Sequence, residues 1–271
     1  MQITSLLLIL CLRWVGYLQQ IPSAKKLISE VVALANRSVV ATVVLGLIEE
    51  WKSEGYDKKS MAFPGSQDEL VKALISSVQR PESLIFVDQS GSPVELPWID
   101  KVSTFLQAWY GGQEAGNALA DVLLGNTNLS GRLPITWPWR CDGRIARYKE
   151  DTQVGYRWYN HHPDVLPLWG FGYGLSYTLF SSNVTNVTTW GLTGQINHTL
   201  IVGFENAPVL RPNEDITINI QVRKRDAAHW KGDKWVLGKG RYAFGLGNGV
   251  KEAMKTSLEI KVESHTWSSC E

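Results

Sequence analysis

Residues 39–48 read VVATVVLGLI, an uncharged and almost wholly apolar run. Such a run is too short to cross a bilayer as a helix and too continuous for a strand with one wet face, so it reads as a strand buried on both sides. Strands of that kind belong to parallel sheets covered by helices. The flanking sequence agrees, because Leu27, Ile28, Val31, Val32 and Leu34 fall near helical spacing over residues 24–36. A helix followed by a central strand is therefore expected.

The pattern then recurs. Ser66 and Glu69 stand at capping-box spacing before a helix expected to run to about residue 79, and residues 83–87 give a second apolar strand. A third unit is expected across residues 98–107. Alternating helix and strand signals of these lengths argue a doubly wound, mostly parallel α/β sheet, in which ligands meet the loops at the carboxyl ends of the strands. The loop after the first of these strands carries Trp51, Glu54 and Tyr56. Further on, residues 113–124 place Ala115, Leu119, Val122 and Leu123 on one helical side and end at Gly125, the expected C-terminal glycine.

The chain changes character beyond residue 140. Residues 140–151 are polar and irregular, and residues 154–180 are rich in glycine and aromatic side chains, which marks a packed connector. Alternation is clean in residues 215–222 (DITINIQV) and returns in residues 240–247 and 258–262, each after turn residues. These are expected strands of a small β-sandwich. The expected organisation is an apolar N-terminal segment (1–23), an α/β domain (24–139), a connector (140–180) and a β domain (181–271).

Three stretches carry a family resemblance: Trp51-Lys52-Ser53-Glu54-Gly55-Tyr56-Asp57, the segment AWYGGQEAGNALADVLLGNTNLSGRLPITWP over residues 108–138, and Leu168-Trp169-Gly170-Phe171-Gly172-Tyr173-Gly174-Leu175-Ser176-Tyr177. In this order and rough spacing they resemble the carboxyl-terminal portion of the glycoside hydrolase family 3 β-glucosidases. The resemblance implies an α/β sandwich followed by a fibronectin type III-like β-sandwich, here incomplete because its first strands, expected over residues 180–209, are poorly represented. It implies hydrolysis of terminal β-glucosyl residues with retention. Glu54, immediately before Gly-Tyr-Asp, takes the position of the family's acid/base glutamate, and Trp51 and Tyr56 are the candidate substrate-binding residues beside it.

Retaining hydrolysis needs two carboxyl groups about 5 to 5.5 Å apart, one attacking the anomeric carbon and one protonating the leaving oxygen. In the family the attacking aspartate belongs to a barrel domain on a Ser-Asp-Trp-like motif, and no such motif occurs in these 271 residues. The expectation is a chain inactive alone, completed by a separate or lost barrel. A second reading is a non-catalytic carbohydrate-binding or interaction module derived from such an enzyme.

Other chemistries find little support. Net charge is +1, which gives no electrostatic footprint for nucleic acid or for an anionic membrane. Cys11, Cys141 and Cys270 are too scattered for a disulfide framework, and the adjacent His161 and His162 lack a third ligand at metal spacing, so no metal or cofactor is expected. The apolar run at residues 6–12 reads either as the core of a secretion signal or as a helix or tail. Sequons at Asn36, Asn128, Asn183, Asn186 and Asn197 lean toward a secreted glycoprotein over a cytoplasmic one.

Overall fold

A computed structural model of the chain describes residues 7–11, 24–47, 51, 60–140, 153–179, 182, 184, 210–255 and 257–268. They fall into two units. The first comprises residues 1–129 and 137–147, the second residues 130–136 and 148–271.

The first unit is built on four parallel strands in the order β1 (Leu7–Cys11), β2 (Val40–Gly46), β3 (Leu84–Gln89) and β4 (Phe105–Gln107). Helix α1 (Ala24–Arg37) connects β1 to β2, and α2 (Gln67–Ser77) connects β2 to β3. The expected parallel α/β sheet is what forms, its described strands in sequential order. Strand β2 pairs with a neighbour on each edge, Leu8 to Ala41 on one side and Ala41 to Leu84 on the other, and residues 41–45 are buried throughout. That central place explains its uninterrupted apolar sequence. The run at residues 6–12, expected as a signal core or a helix or tail, contributes β1 instead, because its apolar residues register along β2.

Trp98 organises one side of this core. It is nearly wholly buried, and its ring lies 6.5 Å from Phe63, 5.6 Å from Phe86 and 6.1 Å from Phe105. Aromatic pairs at these separations add about 0.5–1.5 kcal/mol each beyond their area burial. A second anchor is Trp137, whose buried indole donates to the Val94 carbonyl at 2.9 Å.

Two local expectations are corrected here. Ser66 makes no side-chain cap to α2, and its backbone (φ −99°, ψ 24°) lies outside the extended region from which an N-cap hydroxyl reaches the first amides. Its carbonyl instead accepts from the Leu70 N–H at 3.0 Å. The helix expected over residues 113–124 begins with a short 3-10 turn, Gly112–Glu114, before α3 (Ala115–Leu123). Its end matches expectation, with Gly125 at φ 77° just beyond the helix. No residue of α3 is fully buried.

The second unit contains α4 (Tyr156–His161), a three-stranded antiparallel sheet and a two-stranded one. The first sheet consists of β5 (His229–Lys231), β6 (Lys234–Leu237) and, after a hairpin, β9 (His265–Trp267). Between β6 and β9 run β7 (Gly240–Gly245), the short helix α5 (Val250–Ala253) and β8 (Ser257–Val262), with β7 and β8 forming the second sheet. Leu237 and Val262 are buried with Ala227, and Tyr242, Ile260 and Trp267 pack on them, so both sheets share one small core. These are further small sheets in the region of the expected β domain, whose first strands, expected over residues 180–209, fall outside the described residues except at 182 and 184. Residues 215–222, expected as a strand, pair with nothing among the described residues, and Ile216 stays 47% exposed. Alternation supplies β propensity, but a strand exists only where a ladder partner accepts it.

Residues 130–136 belong with the second unit although they precede the boundary expected near residue 140. Leu133 explains this, donating to the Tyr173 carbonyl at 2.8 Å and accepting from the Gly172 N–H at 2.9 Å.

Candidate functional site

Because β2, β3 and β4 are parallel, their carboxyl ends at Gly46, Gln89 and Gln107 lie on one rim of the sheet. That rim is where an open α/β sheet meets ligands. Its geometry is held by side chains that satisfy backbone groups as the strands end.

The Gly46 N–H donates to Gln67 Oε1 at 2.9 Å, and Gln67 Nε2 donates back to the Gly46 carbonyl at 2.9 Å and to the Pro64 carbonyl at 3.1 Å. Gln67 is 1% exposed, the bond to Pro64 is buried and those to Gly46 are half-buried. They fix the point at which the chain leaves β2 for the loop bearing Trp51 and Glu54. Gly46 itself lets β3 approach, since a Cβ there would stand 2.8 Å from the Gln89 carbonyl oxygen.

At the end of β3, the buried Ser90 hydroxyl lies 2.7 Å from Asp88 Oδ2 and 2.9 Å from the Ser92 carbonyl. Gln107 Nε2 donates to the Ser90 carbonyl at 3.1 Å, and the Ala108 N–H donates to the Asp88 carbonyl at 2.9 Å. Asp88 is fully buried, so this carboxylate braces the rim and is closed to a substrate. Beyond β4, Trp109 adopts φ 52° and sets its ring 6.2 Å from that of Trp137. A bulky residue in the left-handed region costs of order 1 kcal/mol and persists only where the surroundings over-determine it. Tyr110 then lies against Gly91, where a Cβ would come within 2.5 Å of its ring.

Of the residues singled out from the sequence, Trp51 is half-buried. Glu54 and Tyr56 lie outside the described residues. The rim roles of Gln67 and Gln107 carry no sequence signal, because each acts on a backbone group at the end of another strand and a lone polar residue beside an apolar run does not announce that. Ser90, which as a nucleophile lacks the Gly-x-Ser-x-Gly turn, serves its own turn instead, bonding Asp88 and Ser92. His161 and His162 are exposed, with the His162 ring stacked 4.2 Å from that of Trp158.

One carboxyl near the start of α2 is perturbed. Burial pushes Asp68 above the usual carboxylate value of 3.8, opposed by the hydrogen bond from Trp98 Nε1 at 2.7 Å and by the Lys72 charge. Its partner is a core indole, so Asp68 serves the packing around Trp98. Among the described residues no group of three or more His, Cys, Asp or Glu could hold a metal ion, and no helix is long and apolar enough to cross a membrane.

Comparison with known proteins gives consistent matches. Residues 12–177 match the glycosyl hydrolase family 3 C-terminal domain. A probable β-glucosidase I from Aspergillus fumigatus is 32% identical, over 88% of this chain and 34% of that protein. Among solved structures, the β-glucosidase from Kluyveromyces marxianus in complex with glucose superimposes with a TM-score of 0.77 at 30% identity, over 90% of this chain and 34% of that one. A β-glucosidase from Streptomyces venezuelae in complex with D-glucose gives 0.77 at 28% identity, over 89% of this chain and 36% of that one. The chain thus spans about a third of the length of these relatives.

Proposed function

Since the chain belongs to the glycosyl hydrolase family 3 C-terminal domain family, we propose that it supplies the acid/base side of a β-glucosidase site. What supports this reading is sequence order: the Trp51-to-Asp57 motif follows β2 along the chain, and the carboxyl end of β2 at Gly46 lies on the rim of the parallel sheet. The relatives named β-glucosidases, two of them solved with glucose, support a β-glucoside as substrate.

In this mechanism Glu54 protonates the glycosidic oxygen as the bond to the anomeric carbon breaks. It then removes a proton from the water that releases the sugar, the exchange of roles that retention requires. Trp51 and Tyr56, which border Glu54 in the sequence, are the proposed substrate-binding residues. Gln67 is a positioning residue, because it fixes the backbone from which this loop departs. The attacking carboxylate would have to come from a separate barrel domain, the partner that the family resemblance implies.

The test is to replace the matching third of the Kluyveromyces marxianus enzyme with this chain and assay p-nitrophenyl β-glucoside. Hydrolysis by the chimera is expected to fall about a hundredfold or more on Glu54→Gln, the contribution typical of a general acid. The 271-residue chain by itself is expected to give no turnover. A chimera whose rate is indifferent to Glu54→Gln overturns the assignment.

A further inference from the structure

Two sequons lie wholly among the described residues, Asn36-Arg37-Ser38 and Asn128-Leu129-Ser130, and the fold treats them oppositely. Asn183, Asn186 and Asn197 lie outside the described residues.

Asn36 ties the end of α1 to the end of α2. Its Nδ2 donates to the Ser77 carbonyl at 3.2 Å, and its Oδ1 accepts from the Gln79 N–H at 2.8 Å. The two partners stand two residues apart on one segment, so the amide meets them through the single edge that holds Oδ1 and the hydrogen on the same side. A secondary amide is trans, which puts the substituent of its nitrogen on the side of the oxygen and the remaining hydrogen on the other. A sugar joined to Asn36 Nδ2 would therefore take the place now held by the Ser77 carbonyl. The third residue of this sequon is withdrawn as well. Ser38 is 2% exposed, its hydroxyl donates to the Leu34 carbonyl at 2.9 Å, and its carbonyl accepts from Arg80 Nη2 at 2.9 Å.

Asn128 has the opposite setting. Helix α3 ends at Leu123, Gly125 turns the chain at φ 77°, and the Asn126 and Thr127 N–H groups donate to the Asp121 carbonyl at 2.8 and 3.2 Å. The helix end is thus satisfied before the sequon begins. Residues 128–130 belong to no helix or strand, and Asn128 and Ser130 are exposed while Leu129 between them is half-buried. The inner residue anchors the turn and leaves the amide and the hydroxyl at the surface, where a bulky solvated group is accommodated.

From this we propose that Asn128 is a site of N-linked glycosylation and that Asn36 is closed to it. The donor is a lipid-diphosphate-linked oligosaccharide. A bond forms between Asn128 Nδ2 and C1 of its first sugar, the bond from C1 to the diphosphate oxygen breaks, the lipid diphosphate leaves with that electron pair, and one amide proton passes to solvent.

The test is expression of the 271-residue chain in yeast behind a cleavable secretion leader. Peptide N-glycosidase in heavy-oxygen water then converts each modified asparagine to a labelled aspartate, which peptide mass spectrometry reads. Label is expected at residue 128 and not at residue 36 of the folded, leader-processed chain, and it is lost from residue 128 in Ser130→Ala. The closed site has a second readout on unglycosylated chain made in bacteria: Asn36→Ala is expected to lower the melting temperature, because the Ser77 carbonyl and the Gln79 N–H lose their partner, whereas Asn128→Gln leaves it unchanged. Leader-processed chain without label at residue 128, whether secreted or retained, overturns the proposal. So does label at residue 36 in the folded chain, or a melting temperature that Asn36→Ala does not move.

Discussion

One side-chain amide, that of Gln67, satisfies both backbone groups of Gly46, taking its N–H at 2.9 Å and giving to its carbonyl at 2.9 Å across 21 residues of sequence. The glutamine thus continues for one more residue the pairing that β2 would otherwise have required from a strand. It also ties the first residue of α2 to the last residue of β2.

Replacing Gln67 with Met keeps the length of the side chain and removes every hydrogen bond it makes. Two half-buried backbone groups of Gly46 and the Pro64 carbonyl lose their partner, and the expected loss is about 2 kcal/mol of stability. Urea denaturation followed by tryptophan fluorescence measures it. A change below about 0.5 kcal/mol would mean that water enters and takes the place of the amide.

Thr42 leads to the opposite expectation. It sits in the middle of β2 at 1% exposure, and its hydroxyl has no hydrogen-bond partner among the described residues. Thr42→Val preserves the shape and removes a desolvated hydroxyl, so the variant is expected to be more stable by about 1 kcal/mol. A lower melting temperature for Thr42→Val would show that the hydroxyl is bonded in solution.

Gly172 and Gly125 separate two reasons for a glycine. Both have positive φ, 82° and 77°, but a Cβ at Gly172 would meet the Asn248 carbonyl at 2.8 Å while one at Gly125 would meet nothing within 4 Å. Gly125→Ala is expected to cost about 1 kcal/mol, from the left-handed conformation alone. Gly172→Ala adds displacement of the facing backbone and is expected to cost about 3 kcal/mol. Equal losses in the two variants, read by chemical denaturation, would locate no close approach at Gly172.

Asp68 gives a pH dependence of stability. Its folded pKa lies above 3.8 because burial disfavours the charge, so the folded chain holds this proton more tightly than the unfolded one. The stabilisation from that proton is complete below the unfolded value and is lost as pH rises through the folded value. Asp68→Asn stays neutral and can still accept from Trp98 Nε1, so its melting temperature relative to wild type is expected to climb as pH rises from about 3 to about 7. A constant difference across that range would show that Asp68 ionises freely in the folded state.

Much of the first unit was legible from local pattern. Strand β2 announced itself because a strand buried on both faces admits no polar position that water could serve, and α1 because a helix against a sheet needs one apolar side. The motif order that pointed to family 3 was legible for a different reason, since it rests on residue identity and spacing along the chain.

The sequence alone therefore determined the α/β class, the helix and strand sites flanking the first loop, and the family. Those depend on periodicity and on short contiguous motifs, which are properties of neighbouring residues. Only the tertiary structure decided that residues 7–11 form a strand along β2, that Ser66 does not cap α2, and that residues 215–222 pair with nothing among the described residues. It alone brought Gln67 to Gly46 and Asn36 to Ser77 and Gln79. A ladder and a side-chain hydrogen bond each require two segments to meet, and the free energy of that meeting belongs to the pair rather than to either stretch of sequence.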